Sequence, residues 1–256
     1  MHSLVLDIGN TNSKIAVFKG NEMVHYNVSP KAEEAFLLDL IHTYAIQYSI
    51  LSTVGNDAGE LVGFLKKYTQ NLEFSTQAGA GGGLYAEIDN KYKTPSTLGL
   101  DRWAKVIAAH RLYPQQNCFM IDAGTCITYD LLNAKSEYFG GAISLGIHMR
   151  FEALHHFTKR LPLLKWNKDE NIPQGRDTET SMQNGVLQGV TNEVEGFIAL
   201  QNKDNEGLKV IITGGDAPFL WKQLKNSIFA PQIIHDPYFV LKGLNEVIAF
   251  EYVQKN

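Results

Sequence analysis

A polar turn near the beginning of the chain combines a carboxylate, a glycine and several neutral hydrogen-bond donors. The apolar run Leu4-Val5-Leu6 ends at Asp7-Ile8-Gly9-Asn10-Thr11, and Lys14 follows shortly after. Glycine lets a backbone approach a ligand closely, and the amide N–H groups of a tight turn can face one anion together. Asp7 could hold Mg²⁺ through water, because this ion keeps much of its hydration shell. Asn and Gly are also the turn residues of plain β-hairpins, so this turn alone leaves both interpretations open.

The same residue types return in the second half of the chain. Phe119-Met120-Ile121 leads to Asp122-Ala123-Gly124-Thr125, and a further apolar run covers residues 127–132. The repeat is short, but its matching place at the start of each half favours duplication over chance. Two such turns facing each other across a cleft would hold a polyphosphate and its metal from both sides.

A third glycine-containing segment follows another apolar run, at Ile211-Ile212-Thr213-Gly214-Gly215-Asp216. The three segments in this order resemble the motifs of the actin-like, sugar-kinase and Hsp70 ATPase superfamily, where paired glycines let the chain pass close to the nucleoside. A P-loop is excluded because no Gly-x-x-x-x-Gly-Lys-[Ser/Thr] segment occurs. Ala80-Gly81-Gly82-Gly83 lacks the lysine, and a surface loop is the better interpretation of it.

An acidic and a basic residue lie together at the predicted start of a helix, in the segment Leu98-Gly99-Leu100-Asp101-Arg102-Trp103. Gly99 would break the chain just before the helix, so Asp101 and Arg102 fall in its first turn. Asp is favoured electrostatically at helix N-termini, and Arg could form an ordinary salt bridge. A structural role and a catalytic role therefore both remain open on these residues alone.

The elements that must position these residues alternate between strand and helix. Strand meanders are expected at the start of each half, where apolar runs alternate with turn residues. Apolar residues at helical spacing predict an amphipathic helix over residues 31–47, and the helix over 101–113 should turn Trp103, Val106 and Ile107 inward. Further strands are expected at 49–54, 137–143 and 209–213, and further helices at 60–68, 145–159, 178–200 and 239–252.

Strand meanders followed by alternating helices and strands indicate mixed sheets covered by helices, once per half. The superfamily resemblance implies an α/β fold of two ribonuclease H-like (actin-like ATPase) domains. Each would be a mixed five-stranded sheet with flanking helices, with a cleft between the two. Pro114 and the polar run Gln115-Gln116-Asn117 place the boundary near residue 117. We therefore expect an N-terminal domain over 1–117 and a C-terminal domain over 118–256.

Composition narrows the class of protein. The net charge of -4 over 256 residues argues against a nucleic-acid-binding protein, which needs a basic face. Two cysteines, Cys118 and Cys126, form neither a disulfide framework nor a metal knuckle, and reduced, partly buried thiols are expected. No signal peptide and no apolar stretch of membrane-spanning length is apparent. The expectation is a cytoplasmic protein that does not associate with membranes.

Three segments together resemble the signature of the type III pantothenate kinases. They are Asp7-x-Gly9-Asn10-Thr11-x-x-Lys14, Gly99-x-Asp101-Arg102 and Asp122-x-Gly124-Thr125-x-x-Thr128. Further matches lie between and beyond them, in the family's order and nearly from end to end. They are Lys91-Tyr92-x-x-Pro95, Gly140-Gly141-Ala142-Ile143-x-x-Gly146, Leu161-Pro162, Gly175-Arg176-Asp177-Thr178, Gly185 and Gly189.

The resemblance implies transfer of the γ-phosphoryl group of ATP to pantothenate, giving 4'-phosphopantothenate, the first step of coenzyme A biosynthesis. It makes Asp101 the general base and assigns Asp122 to a monovalent cation, K⁺ or NH₄⁺. It also implies a homodimer with the substrate pocket at the subunit interface. The implied ATP-binding residues are Asp7, Ile8, Gly9, Asn10, Thr11, Asn12, Ser13, Lys14 and Thr125. The implied pantothenate-binding residues are Tyr92, Gly99, Leu100, Asp101, Arg102 and Thr178.

Two other functions are compatible with the nucleotide motifs. A phosphohydrolase of the same superfamily would release phosphate without pantothenate, and a non-catalytic regulator would bind ATP without turnover. The Gly-x-Asp-Arg segment argues against the first, and the presence of the expected acidic residues argues against the second. Sugar kinases share the superfamily motifs, but 256 residues is short for most of them.

Overall fold

A computed structural model describes residues 1–53, 58–76, 87–169 and 171–255 of the chain. The glycine-rich segment Ala80-Gly81-Gly82-Gly83 lies outside these ranges. The chain divides into two compact units, each made of more than one segment. Unit 1 contains residues 1–115, 135–139 and 238–256, and unit 2 contains residues 116–134 and 140–237.

Strands and helices alternate along the described residues. The strands are β1 (His2–Ile8), β2 (Ser13–Lys19), β3 (Glu22–Ser29), β4 (Tyr48–Thr53), β5 (Gln70–Leu72), β6 (Asp89–Asn90), β7 (Cys118–Ala123), β8 (Cys126–Leu132), β9 (Glu137–Leu145), β10 (Lys209–Thr213) and β11 (Ile233–His235). The helices are α1 (Glu34–Thr43), α2 (Ala58–Tyr68), α3 (Leu100–Leu112), α4 (Ile147–His156), α5 (Thr178–Asp204), α6 (Ala217–Leu224) and α7 (Phe239–Lys255).

Unit 1 is built on a mixed five-stranded sheet in the order β3-β2-β1-β4-β5. The first three strands form an antiparallel meander, and β4 and β5 are parallel to β1. In this register Asp7 lies opposite Lys14 on one side and Ser52 on the other. The sheet therefore gathers three polar residues at the carboxyl end of β1.

The alternating side chains of β1 place apolar residues on both faces of this sheet, because successive residues point to opposite sides. Leu4 and Leu6 belong to a core cluster with Leu37 of α1 and Leu65 of α2. Val5, between them, is fully buried, and α7 contacts β1 while α3 contacts β4. At its inner strands β1 and β4 the sheet of unit 1 is thus covered by helices.

Helix α7 packs against α3 through a backbone contact at Gly243. A Cβ atom at this position would collide with the backbone carbonyl of Ala104. Asn245 anchors α7 to the sheet, since its Oδ1 accepts from Ser3 Oγ at 2.8 Å and its Nδ2 donates to the Gly20 carbonyl at 2.9 Å. Arg111 Nε donates to Glu246 Oε2 at 3.3 Å. The closing helix is therefore an integral part of unit 1.

The assignment of α7 to unit 1 differs from the two continuous domains predicted from the sequence. The break between residues 115 and 116 lies close to the predicted boundary at 117, but residues 238–256 belong to unit 1. The apolar pattern of α7 predicts a helix. It does not show which sheet the helix covers, because that depends on long-range contacts such as the one between Gly243 and Ala104.

Unit 2 contains the strand order β11-β10-β7-β8-β9, with β7 antiparallel to β8 and parallel to β10. Its core combines Phe119 and Ile212 of the sheet with Phe151 of α4, Val190 of α5 and Leu220 of α6. The sheet has six strands and not the expected five, because β6 pairs in parallel with Glu137 and Tyr138 of β9. These two residues belong to unit 1.

Most predicted elements are confirmed with small shifts of their ends. The first helix is shorter than the predicted 31–47, since Glu33 is still extended and Ala45 has a positive φ of 48°. Trp103, Val106 and Ile107 are buried as predicted. The sequence analysis missed β5, β6, β11 and α6. The three strands have only two or three residues each, which is too short for an alternation to be recognised.

The two thiols are free, as expected. Burial raises the pKa of the Cys118 thiol to about 12, against a small opposing effect of Lys209. Cys118 is thus an unreactive core residue. None of the described helices has the length and apolar character needed to cross a membrane.

The contact between α7 and α3 predicts that Gly243→Ala is destabilising. The new methyl group meets backbone atoms, which cannot rotate away, so we expect the free energy of unfolding to fall by roughly 1–3 kcal/mol. Gly196→Ala in the exposed part of α5 is the matched control, because a Cβ there meets nothing. It should gain up to about 1 kcal/mol from helix propensity. Urea unfolding followed by circular dichroism measures both, and equal stabilities of the two variants would contradict the packing described.

Candidate active site

The first polar turn joins β1 to β2 and is exposed between two buried strands. Residues Gly9, Asn10, Thr11 and Asn12 are exposed, Ile8 is half-buried, and Ser13 is buried at the start of β2. The Gly9 amide donates to the Asn12 carbonyl at 3.0 Å, which closes the turn. A turn closed in this way can present its remaining backbone amides to an anion.

The carboxylate of Asp7 lies behind this turn with a cation beside it. Its side chain is 12% exposed, and Lys14 Nζ lies 3.8 Å from Asp7 Oδ2. Because the pair is mostly shielded from water, its attraction is screened less than that of a surface pair. The structure therefore brings Asp7 and Lys14 together.

Ser52 is a polar residue at this site that the sequence analysis did not identify. It is fully buried at the end of β4, and its Oγ has no hydrogen-bond partner among the described residues. Side chains at paired positions of neighbouring strands point to the same face, and Ser52 is paired with Asp7. A buried hydroxyl without a partner is costly, and a ligand or hydrated metal at Asp7 would give it one. No sequence signal distinguishes Ser52 from other strand serines.

The second turn lies between β7 and β8. Backbone contacts with the start of α4 and with the turn before α6 hold it. The Gly124 amide donates to the Cys126 carbonyl at 3.0 Å, and the Gly146 amide donates to the Thr125 carbonyl at 3.1 Å. A Cβ at Gly146 would collide with the carbonyl oxygens of Gly124 and Thr125. Thr125 remains exposed. The turn is therefore fixed in place while its threonine stays accessible.

The segment Gly214-Gly215-Asp216 meets this second turn. Asp216 N donates to the Ala123 carbonyl at 2.8 Å. Gly214 has a φ of +97°, and a Cβ there would collide with the Ala123 carbonyl and with Asp122 Oδ1. Only glycine fits this conformation and this space. Asp122 is thus held beside the paired glycines of the third motif.

The described residues contain no group of three or more His, Cys, Asp or Glu side chains that could hold a metal ion. A metal at Asp7 or Asp122 would therefore need further ligands from water or from phosphate oxygens. At Asp7 such a donor set fits Mg²⁺, which is bound through one or two carboxylates together with water and substrate phosphates.

The predicted base lies in the first turn of α3. Gly99 is the N-cap residue, with φ -59° and ψ 136°, and the Trp103 amide donates to its carbonyl at 3.1 Å. A Cβ at Gly99 would approach Asp101 Oδ1 to 2.5 Å, so the carboxylate occupies the space that the glycine leaves free. The positive end of the helix dipole stabilises the anionic form of an acid placed there.

Arg102 is held by aromatic rings next to Asp101. It is 5% exposed, and its guanidinium carbon lies 5.6 Å from the centre of the Tyr92 ring. Tyr92 in turn stacks on Tyr138, with ring centres 6.2 Å apart. Such a cation over an aromatic face is attracted by the ring electrons. The structure therefore brings Tyr92, Gly99, Asp101 and Arg102 together in unit 1.

Thr178, the remaining predicted substrate residue, lines a cavity of about 830 Å³ within unit 2. It begins α5 directly after the N-cap Asp177, whose Oδ1 accepts from the Thr180 amide at 2.8 Å. This backbone hydrogen bond is the main reason why the pKa of Asp177 is lowered. The wall is mostly apolar with a few polar groups. Its residues are Leu145, Arg150, Ala153, Leu154, Phe157, Thr158, Leu161, Thr178, Ser181, Met182, Gly185 and Val186.

Arg150, the cation in this wall, is held by a polar network that sequence reasoning missed. Its Nη2 donates to Glu193 Oε2 at 2.6 Å and to Ser144 Oγ at 3.0 Å, and Tyr129 OH donates to Glu193 Oε1 at 2.8 Å. Burial works to raise the pKa of Glu193, but the hydrogen bonds from Arg150, Tyr129 and Ser144 outweigh it and lower the pKa. The network keeps Glu193 ionised and orients Arg150 at the cavity.

Comparison with known proteins agrees with the motifs. A family model described as type III pantothenate kinase matches residues 3–200. A type III pantothenate kinase from Christiangramia forsetii is 40% identical over 254 residues, which are 98% of this chain and 100% of that protein.

Solved structures at lower identity share the fold. A Baf family protein from Campylobacter jejuni has a TM-score of 0.60 at 23% identity, over 99% of this chain and 100% of that chain. A second solved structure is an activator of 2-hydroxyisocaproyl-CoA dehydratase from Clostridium difficile with bound ADPNP. It has a TM-score of 0.56 at 13% identity and covers 100% of this chain and 96% of that chain. These likenesses confirm the predicted α/β class with two mixed sheets and the actin-like, sugar-kinase type of fold.

The network at Arg150 predicts an acid-dependent contribution of Glu193 to stability. Glu193→Gln should lower the free energy of unfolding by roughly 1–2 kcal/mol at pH 7, because a charge-assisted pair is lost in a partly exposed place. A lowered folded pKa means that this stabilisation is complete above the ordinary value of 4.5 and is lost as the pH falls through the folded value. The difference from wild type should therefore shrink below pH 4.5.

Urea unfolding at several pH values measures this effect. Glu195→Gln, two residues further along α5, is the matched control and should resemble the wild type. A constant difference between the Glu193 variant and the wild type down to pH 3 would contradict the ionic role of Glu193.

Proposed function

Since the chain belongs to the type III pantothenate kinase family, we propose that Asp101 is the general base of its reaction. The enzyme transfers the γ-phosphoryl group of ATP to pantothenate and so forms 4'-phosphopantothenate in the biosynthesis of coenzyme A. The observation that carries the proposal is the group at the start of α3. There the Asp101 carboxylate fills the space over Gly99 beside the buried, ring-stacked Arg102.

The proposed step is an in-line transfer. The pantothenate hydroxyl oxygen forms a bond to the γ-phosphorus, the bond from that phosphorus to the ADP oxygen breaks, and Asp101 accepts the hydroxyl proton. The transition state of such transfers is loose, so positioning and charge neutralisation dominate. The positive end of the helix dipole favours a negative charge at the place of Asp101, which suits a group that accepts a proton. Proton removal of this kind contributes typically about 10²–10⁴-fold.

We assign ATP binding to the first turn, residues Asp7, Ile8, Gly9, Asn10, Thr11, Asn12, Ser13 and Lys14, and to Thr125. The exposed residues Asn10 to Asn12 of the turn and the cation of Lys14 suit phosphate oxygens. The shared fold with the activator from Clostridium difficile, which binds ADPNP, supports a nucleotide site of this type. Asp7 would hold Mg²⁺ through water, and Ser52 is placed to add a hydroxyl behind it. When bound, Mg²⁺ neutralises charge on the phosphates.

Asp122 is proposed as a ligand of the monovalent cation, K⁺ or NH₄⁺. Its carboxylate lies against Gly214 at a crossing of backbone segments, where a side chain could not fit. A cation next to this carboxylate would offset the repulsion between it and the triphosphate. Tyr92, Gly99, Leu100, Asp101, Arg102 and Thr178 are proposed to bind pantothenate. The apolar cavity at Thr178 would suit the dimethyl part of that substrate.

We also propose, from the family resemblance, that the protein is a homodimer and that it is located in the cytoplasm. Size-exclusion chromatography with light scattering would test the dimer directly. A net charge of -4 gives no reason to expect a nucleic-acid partner.

A coupled assay for ADP tests the function and the base together. We expect ADP formation with pantothenate, but not with glucose or without an acceptor, and a dependence on Mg²⁺ and on K⁺ or NH₄⁺. Asp101→Asn should lower pantothenate-dependent turnover by about 10²–10⁴-fold and leave binding of a non-hydrolysable ATP analogue nearly unchanged.

Asp39→Asn on the exposed side of α1 serves as the control and should turn over like the wild type. Phosphate release without an acceptor would indicate a phosphohydrolase. Nucleotide binding without any turnover would indicate a regulator. Full activity of the Asp101 variant would remove this residue from the mechanism.

The space at Gly99 yields a separate prediction about the position of the base. In Gly99→Ala the new methyl group must displace the Asp101 carboxylate, so kcat should fall by about 10- to 100-fold. Stability should change little, because the colliding atom is the free end of a side chain. Gly59→Ala in α2, where a Cβ meets nothing, is the control for the substitution itself. An unchanged kcat in Gly99→Ala would show that the exact place of this carboxylate does not matter.

A further inference from the structure

An irregular segment of unit 2 crosses the third glycine motif and is tied to it by a lysine. Residues 161–169 contain no helix or strand and follow α4. We call them the strap. One end is held at α4, where His155 Nδ1 and the Leu161 carbonyl lie 2.8 Å apart. The other end leads towards Pro173, whose carbonyl accepts from Asn184 Nδ2 of α5 at 2.7 Å.

The strap lies on α6 through two further contacts. Trp166 is 7% exposed and meets the Phe219 ring edge-on, with ring centres 5.1 Å apart. Lys222 Nζ donates to the Asp169 carbonyl at 3.1 Å. Both Phe219 and Lys222 belong to α6, the helix that begins directly after Asp216. These contacts dock the strap beside the Gly214-Gly215-Asp216 turn.

Lys168 connects the strap to the turn itself. Its Nζ donates to the Gly215 carbonyl at 2.5 Å and lies 3.3 Å from Asp216 Oδ1. One ammonium group therefore holds a backbone carbonyl and a carboxylate of two consecutive residues. The side chain of Asp216 is 8% exposed and that of Lys168 is 47% exposed, so the pair joins a buried acid to a cation at the surface.

The acid at the centre of this contact needs a cation. Burial raises the pKa of Asp216, and Lys168 and, more weakly, His148 work against this rise. The Asp216 amide also donates to the Ala123 carbonyl of the second turn, and Gly214 lies so close to Ala123 and Asp122 that a Cβ would not fit between them. A displacement of Asp216 would therefore reach the residues that we assign to the nucleotide phosphates and the monovalent cation.

We propose that Lys168 is a positioning residue that holds the Gly214-Gly215-Asp216 turn in the conformation that receives ATP. This inference rests on the proposed function and on the resemblance of that turn to the segment that passes close to the nucleoside in the superfamily. Lys168 touches the turn and not the reacting atoms, so it sets the apparent affinity for ATP and leaves the rate of phosphoryl transfer unchanged. No motif or periodicity in the sequence indicates Lys168, because it is a single lysine in a segment without regular secondary structure.

Kinetics of three variants test the proposal. Lys168→Met keeps the aliphatic stem and removes the ammonium, and should raise the KM for ATP roughly three- to tenfold, the range for one charge-assisted hydrogen bond in a partly exposed place. Its kcat and its KM for pantothenate should stay within twofold of wild type. Lys168→Arg should recover most of the lost affinity. Lys222→Met removes another strap contact without touching the turn, and should behave like wild type.

An unchanged KM for ATP in Lys168→Met would overturn the proposal. So would a fall in kcat at constant KM, or an equal effect of Lys222→Met, which would indicate a general loss of folding.

Hydrogen exchange without nucleotide separates this inference from the proposed function. The Asp216 amide, which is bonded to the Ala123 carbonyl, should exchange faster in Lys168→Met and at the wild-type rate in Lys222→Met. If wild type does not phosphorylate pantothenate, the proposed function fails, and the exchange result still decides whether Lys168 fixes the turn. Equal protection of Asp216 in all variants would overturn the positioning role whatever the activity.

Discussion

The carbonyl oxygens of Ala123, Gly124 and Thr125 are approached so closely by other backbone segments that a single Cβ atom would break the contact. Gly146 and Gly214 make this approach from two different directions. The start of α4 and the turn before α6 are therefore both fixed relative to the end of β7. Asp122, Thr125 and the strap contact at Asp216 all depend on this arrangement, because none of them could hold its place if the backbones moved apart.

In unit 1, Gly99 also leaves space that a Cβ atom would fill, but here the neighbouring atoms belong to side chains. At Gly99 the nearest atom to a hypothetical Cβ is the carboxylate oxygen of Asp101, and not a backbone atom. A side-chain end can rotate away at little cost, so this glycine matters for the position of the carboxylate and hardly for the stability of the fold. Gly146, Gly214 and Gly243 thus allow close packing of backbone segments, whereas Gly99 leaves room for the Asp101 carboxylate.

The candidate site residues that local pattern indicates are those at the ends of strands and at the start of a helix. Asp7 and Asp122 each lie at or near the end of an apolar strand, and Asp101 follows a glycine at the start of α3, so short stretches of sequence are enough to propose them. Ser52, Glu193 and Lys168 could not be found in this way. Their importance comes from contacts with residues far along the chain, such as Asp7, Tyr129 and Asp216, and no local spacing records such contacts.

The same limit applies to the fold. Long helices and strands have enough residues for their period to show, whereas β5, β6 and β11 do not. The apolar character of α7 was evident, but its assignment to unit 1 depends on Gly243 meeting Ala104 and on Asn245 meeting Ser3. An apolar pattern shows that one face of a helix must be buried, but it does not show which sheet or helix it packs against.

The return of the chain to unit 1 has a consequence for biosynthesis. The strand β1 leaves the ribosome early, while α7, which caps it through Asn245 and Ser3, is translated only after all of unit 2. Domains of a nascent chain usually fold in the order in which they emerge. Here unit 2 has its complete set of segments first, and the sheet that carries Asp7 lacks part of its cover until α7 has been translated.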